Sequence, residues 1–253
     1  MSTVSITTHL TGKVALITGG AKRLGKAVAY ALHQQGAQLV IHYRNSQAGA
    51  EALVAELNAL RSNSAITLRC DLLDTDALPQ LITQTIQQFS RLDILVNNAS
   101  SFYATPIGSI TETQWNDLLG SNVKAPLFLA QAAAPHLRAT QGLILNMVDI
   151  HAQRPLPDYS VYCVAKAGLV MLTKSLAREL APDIRVNAIA PGPVLWPEQP
   201  MRPELQQEII SKTALKRQGS PDDIARAALF FAQDAPYVTG QILAIDGGRS
   251  IGW

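Results

Sequence analysis

Residues 13–25 read KVALITGGAKRLG. A short apolar run, KVALIT, ends in a glycine-rich turn, and a helix-like pattern begins at Leu24. A tight turn between a strand and a helix turns backbone N–H groups toward a pyrophosphate at the helix N-terminus. Counted from Gly19 the spacing is G-x-x-x-R-x-G, with Arg23 where a glycine usually stands. The letters alone are a weak signal, and an ordinary glycine turn is the alternative. Position favours the dinucleotide reading, because this turn follows the first strand and opens a helix, the context a dinucleotide site needs.

The rest of the chain repeats that alternation. Residues 13–18, 38–43, 65–70, 92–97, 143–148, 184–189 and 241–245 read as seven short, mostly apolar strands. Strands buried on both faces of a parallel sheet have this character. Helix-length patterns fall at 24–35, 47–60, 75–89, 111–138, 160–181 and 221–231. Strands and helices in this order predict an α/β chain with a doubly wound parallel sheet. A length of 253 residues suits a single domain, 1–253. One Pro-rich irregular stretch, 191–203 (PGPVLWPEQPMRP), reads as part of a substrate lid near 193–215, because a further strand and no second domain follows it.

Composition excludes several classes. Hydrophobic residues make up 47% and charged residues 16%, a globular balance with material for a sizeable core. The formal charge is +2 without a basic run, so there is no electrostatic footprint for nucleic acid. Cys70 and Cys163 make neither a disulfide framework nor, by themselves, a metal site. The start of the chain, MSTVSITTHL, has no signal-peptide regions. Nor does an uninterrupted apolar run approach the roughly 18 residues of a membrane span. A cytoplasmic protein with no membrane or metal partner is the expectation.

At the end of the second strand comes IHYRNS. An NAD site generally has an acid here for the ribose 2′-hydroxyl. This chain instead has Arg44, then Asn45 and Ser46. A guanidinium beside further hydrogen-bonding groups suits a 2′-phosphate, so the expected cofactor is NADPH, with Arg23 a second phosphate candidate. Asp71, after the third strand, reads either as an acceptor for the adenine amino group or as a helix cap.

Tyr162 and Lys166 stand as YxxxK, on one face of a helix. A free tyrosine has a pKa of about 10, and a nearby ammonium is expected to lower it. Asp149 lies thirteen residues before the tyrosine, at the end of the apolar run GLILNMV.

TGGAKRLG, NNAS at 97–100, Asn122, the YxxxK pair, APGPV at 190–194 and DGG at 246–248 together resemble the short-chain dehydrogenase/reductase family over nearly the whole chain. The resemblance implies a Rossmann-type sheet of order 3-2-1-4-5-6-7, a nicotinamide cofactor and a homotetramer. It makes Tyr162 the acid, Lys166 a ribose ligand that tunes Tyr162, and Asn122 a holder of a relay water. Cofactor contacts are expected from Gly19, Arg23, Leu24, Arg44, Asn45, Ser46, Asp71, Leu72, Asn98, Ala99, Ser100, Tyr162, Lys166 and Gly192.

Most members have a glycine at Arg23 and a serine at Asp149. Arg23, Asp149, HYRNS, SNSAITL at 62–68 and NNASSFY at 97–103 resemble one subfamily, the pteridine reductases. That likeness implies that Ser100 contacts cofactor and pterin, that Phe102 stacks on the pterin, and that Asp149 and Tyr162 are the catalytic pair. The subfamily often ends in an arginine that reaches a neighbouring subunit. Here the end is RSIGW, with Arg249 earlier and Trp253 in that place. Trp196 and Met201 are candidates for the substrate's side-chain pocket.

A carboxylate at 149 would repel the oxyanion of carbonyl reduction, whereas a pterin takes a hydride on carbon and a proton on nitrogen. The expected activity is therefore reduction of dihydropterins. Reduction of a ketone or 3-oxoacyl thioester is the alternative, and a non-catalytic nucleotide-binding module the third reading.

Overall fold

The computed structural model describes residues 9–197 and 201–251. Seven strands form one all-parallel sheet: β1 (Val14–Ile17), β2 (Gln38–Tyr43), β3 (Ala65–Arg69), β4 (Ile94–Asn97), β5 (Leu143–Met147), β6 (Arg185–Pro191) and β7 (Ile242–Ile245). Their order is β3-β2-β1-β4-β5-β6-β7, the expected Rossmann-type order. The helices are α1 (Arg23–Gln34), α2 (Gln47–Leu60), α3 (Leu78–Phe89), α4 (Glu112–Leu119), α5 (Ala125–Thr140), α6 (Ser160–Glu179), α7 (Pro203–Ser211) and α8 (Pro221–Leu229).

Side chains alternate across each strand, and here both faces are apolar. Ala15, Ile17, Leu39, Ile41, Ile94 and Val96 pack on one face with Val28 and Leu32 of α1, Leu53 and Leu57 of α2, and Ile224 of α8. Leu16, Val40, Leu95 and Ile144, one residue out of step, pack on the other face with Leu81 of α3, Leu129 of α5 and Leu176 of α6. A strand of uninterrupted apolar residues is thus the signature of two helical layers rather than of one. Among the described helices, α6 alone is long and apolar enough to cross a membrane by composition. Its buried residues include Tyr162, Lys166 and Thr173, and it lies against the sheet as a core helix.

Two expectations change. The single helix expected over 111–138 is interrupted by a π-helical turn at Gly120–Lys124, which carries Asn122. The region 193–215, expected as a lid, contains α7, a helix not expected there, which begins where the irregular stretch 191–203 ends. Its start was legible in PELQQ, since Pro203 at the first helical position and Glu204 in the first turn are helix-opening residues. Arg249 donates to the carbonyl of Ile209 near the end of α7, and Leu215 N–H donates to Gly247 O, so the turn after β7 braces α7 and the turn after it. The site imagined for Trp253 lies outside the described residues.

Candidate active site

In the order β2-β1-β4 the chain winds outward in opposite directions on either side of β1, which opens a crevice beyond the carboxyl ends of β1 and β4. Thr18 and Asn98, just past those ends, stitch the crevice floor. Asn98 N–H and Ala99 N–H both donate to Thr18 Oγ1, at 3.0 and 3.1 Å. Asn98 Nδ2 donates to the carbonyls of Thr18 and Gly19. A Cβ on Gly25 would stand 2.6 Å from Asn98 Nδ2 and 2.7 Å from Gly19 O, so α1 can approach the crevice this closely only with glycine there.

The residues expected to contact the cofactor have these surroundings. Gly19 has φ +60, and its N–H donates to His42 Nδ1 at 3.1 Å. The N–H of Gly19 is thus taken by His42, and a Cβ on Gly19 would stand 3.0 Å from Ala99 Cα. Arg23, at φ +53, takes the left-handed conformation that glycine fills more cheaply. Its guanidinium donates to the carbonyl of Trp196 rather than lying free. The side chain of Leu24 is half-buried against the core and that of Leu72 is buried in it, which leaves their backbones for any cofactor. Gly192 N–H bonds to Ile245 O, and a Cβ on Gly192 would stand 2.5 Å from Asp246 Cβ.

Arg44 pairs with Asp71 at 3.6 Å, both about half exposed. Asp71 Oδ1 also accepts from Leu73 N–H, while Asp74 is the residue that caps the short 3-10 turn Thr75–Ala77. An exposed pair of this kind is worth about 0–1 kcal/mol, so Arg44 can exchange Asp71 for a phosphate at little cost. Asn45 and Ser46 lead into α2. Neither α1 nor α2 has a side-chain cap at its N-terminus or an acid in its first turn. Two positive helix poles left without internal partners fit a ligand bearing a pyrophosphate and a further phosphate.

The catalytic candidates meet beside the crevice. Tyr162 OH donates to Asp149 Oδ2 at 2.7 Å. Asp149 Oδ1 accepts from His151 N–H at 2.8 Å and caps the 3-10 turn Ile150–Ala152. The same carboxylate thus fulfils the structural reading and the chemical one, with one oxygen each. Lys166, 2% exposed, donates from Nζ to Met147 O at 2.8 Å and lies 5.6 Å from the centre of the Tyr162 ring. Ser100 Oγ donates to Asn122 Oδ1 at 2.7 Å, and Asn122 Nδ2 donates to the carbonyls of Leu118 and Ser101. The side chain of Asn122 is therefore spent on holding the loop after β4 in place.

The expected depression of the Tyr162 pKa is reversed. Burial is the largest cause, and the Asp149 carboxylate beside the hydroxyl adds to it. Together they hold the phenol well above its ordinary value, with Ser100 opposing weakly. Tyr162 thus keeps its proton, as a donor must. Burial also pushes Lys166 down to about 8, with Asp149 opposing.

Phe102 is 45% exposed and presents an aromatic surface at the mouth. Its ring stacks on Tyr159 at 4.6 Å and meets Tyr162 edge-on at 4.8 Å. Tyr159 was not singled out in the sequence; it stands just before the first residue of α6. His42 was also missed, and its signal was a polar residue in an otherwise apolar strand.

A parallel-sheet crevice fit for a dinucleotide, with a buried tyrosine–lysine pair at its mouth, defines an oxidoreductase of the Rossmann type. A family model described as enoyl-(acyl carrier protein) reductase matches residues 19–250. Pteridine reductase 1 of Leishmania tarentolae is 38% identical, over 97% of this chain and 99% of its own. A 3-oxoacyl-[acyl-carrier-protein] reductase of Synechocystis is 36% identical over 95% and 98%. One from Staphylococcus aureus is 34% identical over 93% and 97%. The chain belongs to the short-chain dehydrogenase/reductase family, whose reductases use NAD(P)H.

Proposed function

We propose that the protein is an NADPH-dependent reductase of dihydropterins, of the dihydrobiopterin or dihydromonapterin type and extending to dihydrofolate. The observation that carries this reading is the 2.7 Å hydrogen bond from Tyr162 to Asp149 under the exposed ring of Phe102. The nicotinamide supplies the hydride when bound. Arg44, Asn45, Ser46 and the N-terminus of α2 hold the 2′-phosphate, and Arg23 and the N-terminus of α1 the pyrophosphate. Phe102, backed by Tyr159, offers a flat aromatic face to a heteroaromatic ring.

Tyr162 and Asp149 share one proton between two oxygens. Its delivery to a ring nitrogen leaves the pair doubly negative in a buried place. The ammonium of Lys166 offsets that charge, and protonation from solvent restores the pair. A ketone or 3-oxoacyl thioester, the kind of substrate named for the Synechocystis and Staphylococcus relatives, would place a growing oxyanion in this region. The Asp149 carboxylate would oppose it. NADPH oxidation with a dihydropterin, against an acetoacetyl thioester, tests the reading.

Two further expectations follow from these residues. Lys166 is cationic below about 8 and loses its proton above it, so kcat/KM should fall on the alkaline side with a midpoint near 8. Tyr162 cannot be the source of that limb, because its proton is held far more tightly. Lys166→Met should abolish the limb along with most of the rate, and an unchanged limb in that variant would refute the assignment. Arg44→Ala should raise KM for NADPH by about 10- to 100-fold, the loss of a charge-assisted hydrogen bond, while KM for NADH changes little.

The assembly is proposed to be a homotetramer. The edge strand β7 exposes Leu243, and α6 exposes Val164 and Met171, apolar surface suited to meeting further copies of the chain. Light scattering at micromolar concentration reads this directly.

A further inference from the structure

His42 lies in β2 and is 2% exposed, yet nothing in the proposed chemistry uses it. Its ring spans the crevice wall. Nδ1 accepts from the N–H of Gly19 at 3.1 Å, and Nε2 lies 3.0 Å from the carbonyl of Cys70. An amide can only donate and a carbonyl can only accept, so the neutral ring is fixed with its proton on Nε2. The backbone of the same residue holds the turn too, since Gly20 N–H donates to His42 O at 3.1 Å. One side chain thus ties the glycine-rich turn after β1 to the loop after β3.

A second ring proton would remove the acceptor at Nδ1 and set two N–H donors against each other over Gly19. Cys70, whose carbonyl the ring meets, and Asp71 follow β3; Arg44 stands two residues after His42 and pairs with Asp71; Lys22 and Arg23 lie in the glycine-rich turn, Arg23 donating to Trp196 O. Burial favours the neutral ring, while the Cys70 carbonyl and the Asp71 carboxylate oppose it more weakly.

We propose that His42 is a positioning residue for the cofactor. In its Nε2–H form it sets the phosphate turn for the dinucleotide, and protonation of the ring releases the turn and weakens dinucleotide binding. The role rests on the family's use of NAD(P)H and not on the identity of the reducible substrate.

The test is dinucleotide affinity by fluorescence titration between pH 8 and pH 5.5, with NADPH and NADH, on the wild-type protein, His42→Asn and His42→Phe. Asparagine keeps an acceptor near Nδ1 and cannot be protonated, whereas phenylalanine keeps volume and loses both bonds. At pH 8 His42→Phe should weaken binding about 10-fold or more, with kcat at saturating cofactor within about threefold of wild type. His42→Asn should stay within about threefold at pH 8 and lack the acid weakening of the wild type. The 2′-phosphate also titrates, but it does so equally in all three proteins, and NADH lacks it.

A His42→Phe protein that melts lower but binds as tightly as wild type would reduce His42 to a packing role. Acid weakening shared by His42→Asn would overturn the protonation step, and this arm decides the matter if His42→Phe does not fold. A wild-type chain that bound NADH and not NADPH would sink the 2′-phosphate reading and leave the His42 test to be read with NADH. Binding of neither would sink both.

Discussion

Tyr162→Phe should lower kcat with a dihydropterin by about 10²- to 10⁴-fold, the range for loss of a positioned proton donor. The ring is 4% exposed and sits edge-on to Phe102, so removal of one oxygen leaves the packing in place. What is lost is the one hydroxyl bonded to Asp149. KM for the nicotinamide cofactor should change by less than about threefold, because the proposed phosphate contacts lie elsewhere. Steady-state kinetics with both substrates varied reads the two effects separately. A variant that kept kcat within about threefold would mean that the proton comes from another group.

Asp149→Asn is expected to have a comparable effect on pterins, and the opposite sign on carbonyl substrates. The amide keeps the shape and an oxygen near the cap at His151, so the 3-10 turn survives. It removes the negative charge and can present an N–H to the tyrosine in place of an acceptor. Pterin turnover should fall by about 10²-fold or more, since the pair no longer holds and replaces its proton. Any turnover of a ketone or 3-oxoacyl thioester should hold or rise, because the repulsion of an oxyanion is gone. The Tyr162 phenol, which the carboxylate helps to hold upward, should titrate lower in Asp149→Asn. Ultraviolet titration of tyrosinate absorption measures that shift independently of turnover. Equal loss on both substrate classes would reduce Asp149 to its capping bond.

The fold was legible because its signals are local and repeated. β2 and α2 were located to the residue by apolar run and helical period alone, and the sheet order followed from the family resemblance. The meeting of Tyr162 with Asp149 was legible in YxxxK and in the unusual Asp149, because helix spacing and a strand end place those groups in register. Less legible was what depends on distant partners. No local pattern says that Arg23 donates to Trp196, 173 positions away. Nor does one say that His42 braces Gly19 across two strands.

The π-helical turn at Gly120–Lys124 was also hidden, because the periodicity on its two sides reads as one helix. The direction of the Tyr162 shift was misjudged for a related reason. An ammonium four residues away is visible in the sequence, but burial, the larger influence, is not.

If Tyr162 and Asp149 form a proton-donating pair for reduction of a ring C=N bond with NADPH, NADPH oxidation at 340 nm shows it, followed with dihydrobiopterin, dihydromonapterin, dihydrofolate and an acetoacetyl thioester for wild type, Asp149→Ala and Tyr162→Phe. Pterin turnover by the wild type should be lost in both variants, with little or no turnover of the thioester. Turnover of the thioester alone would contradict it and make this chain a carbonyl reductase with an unusual third residue.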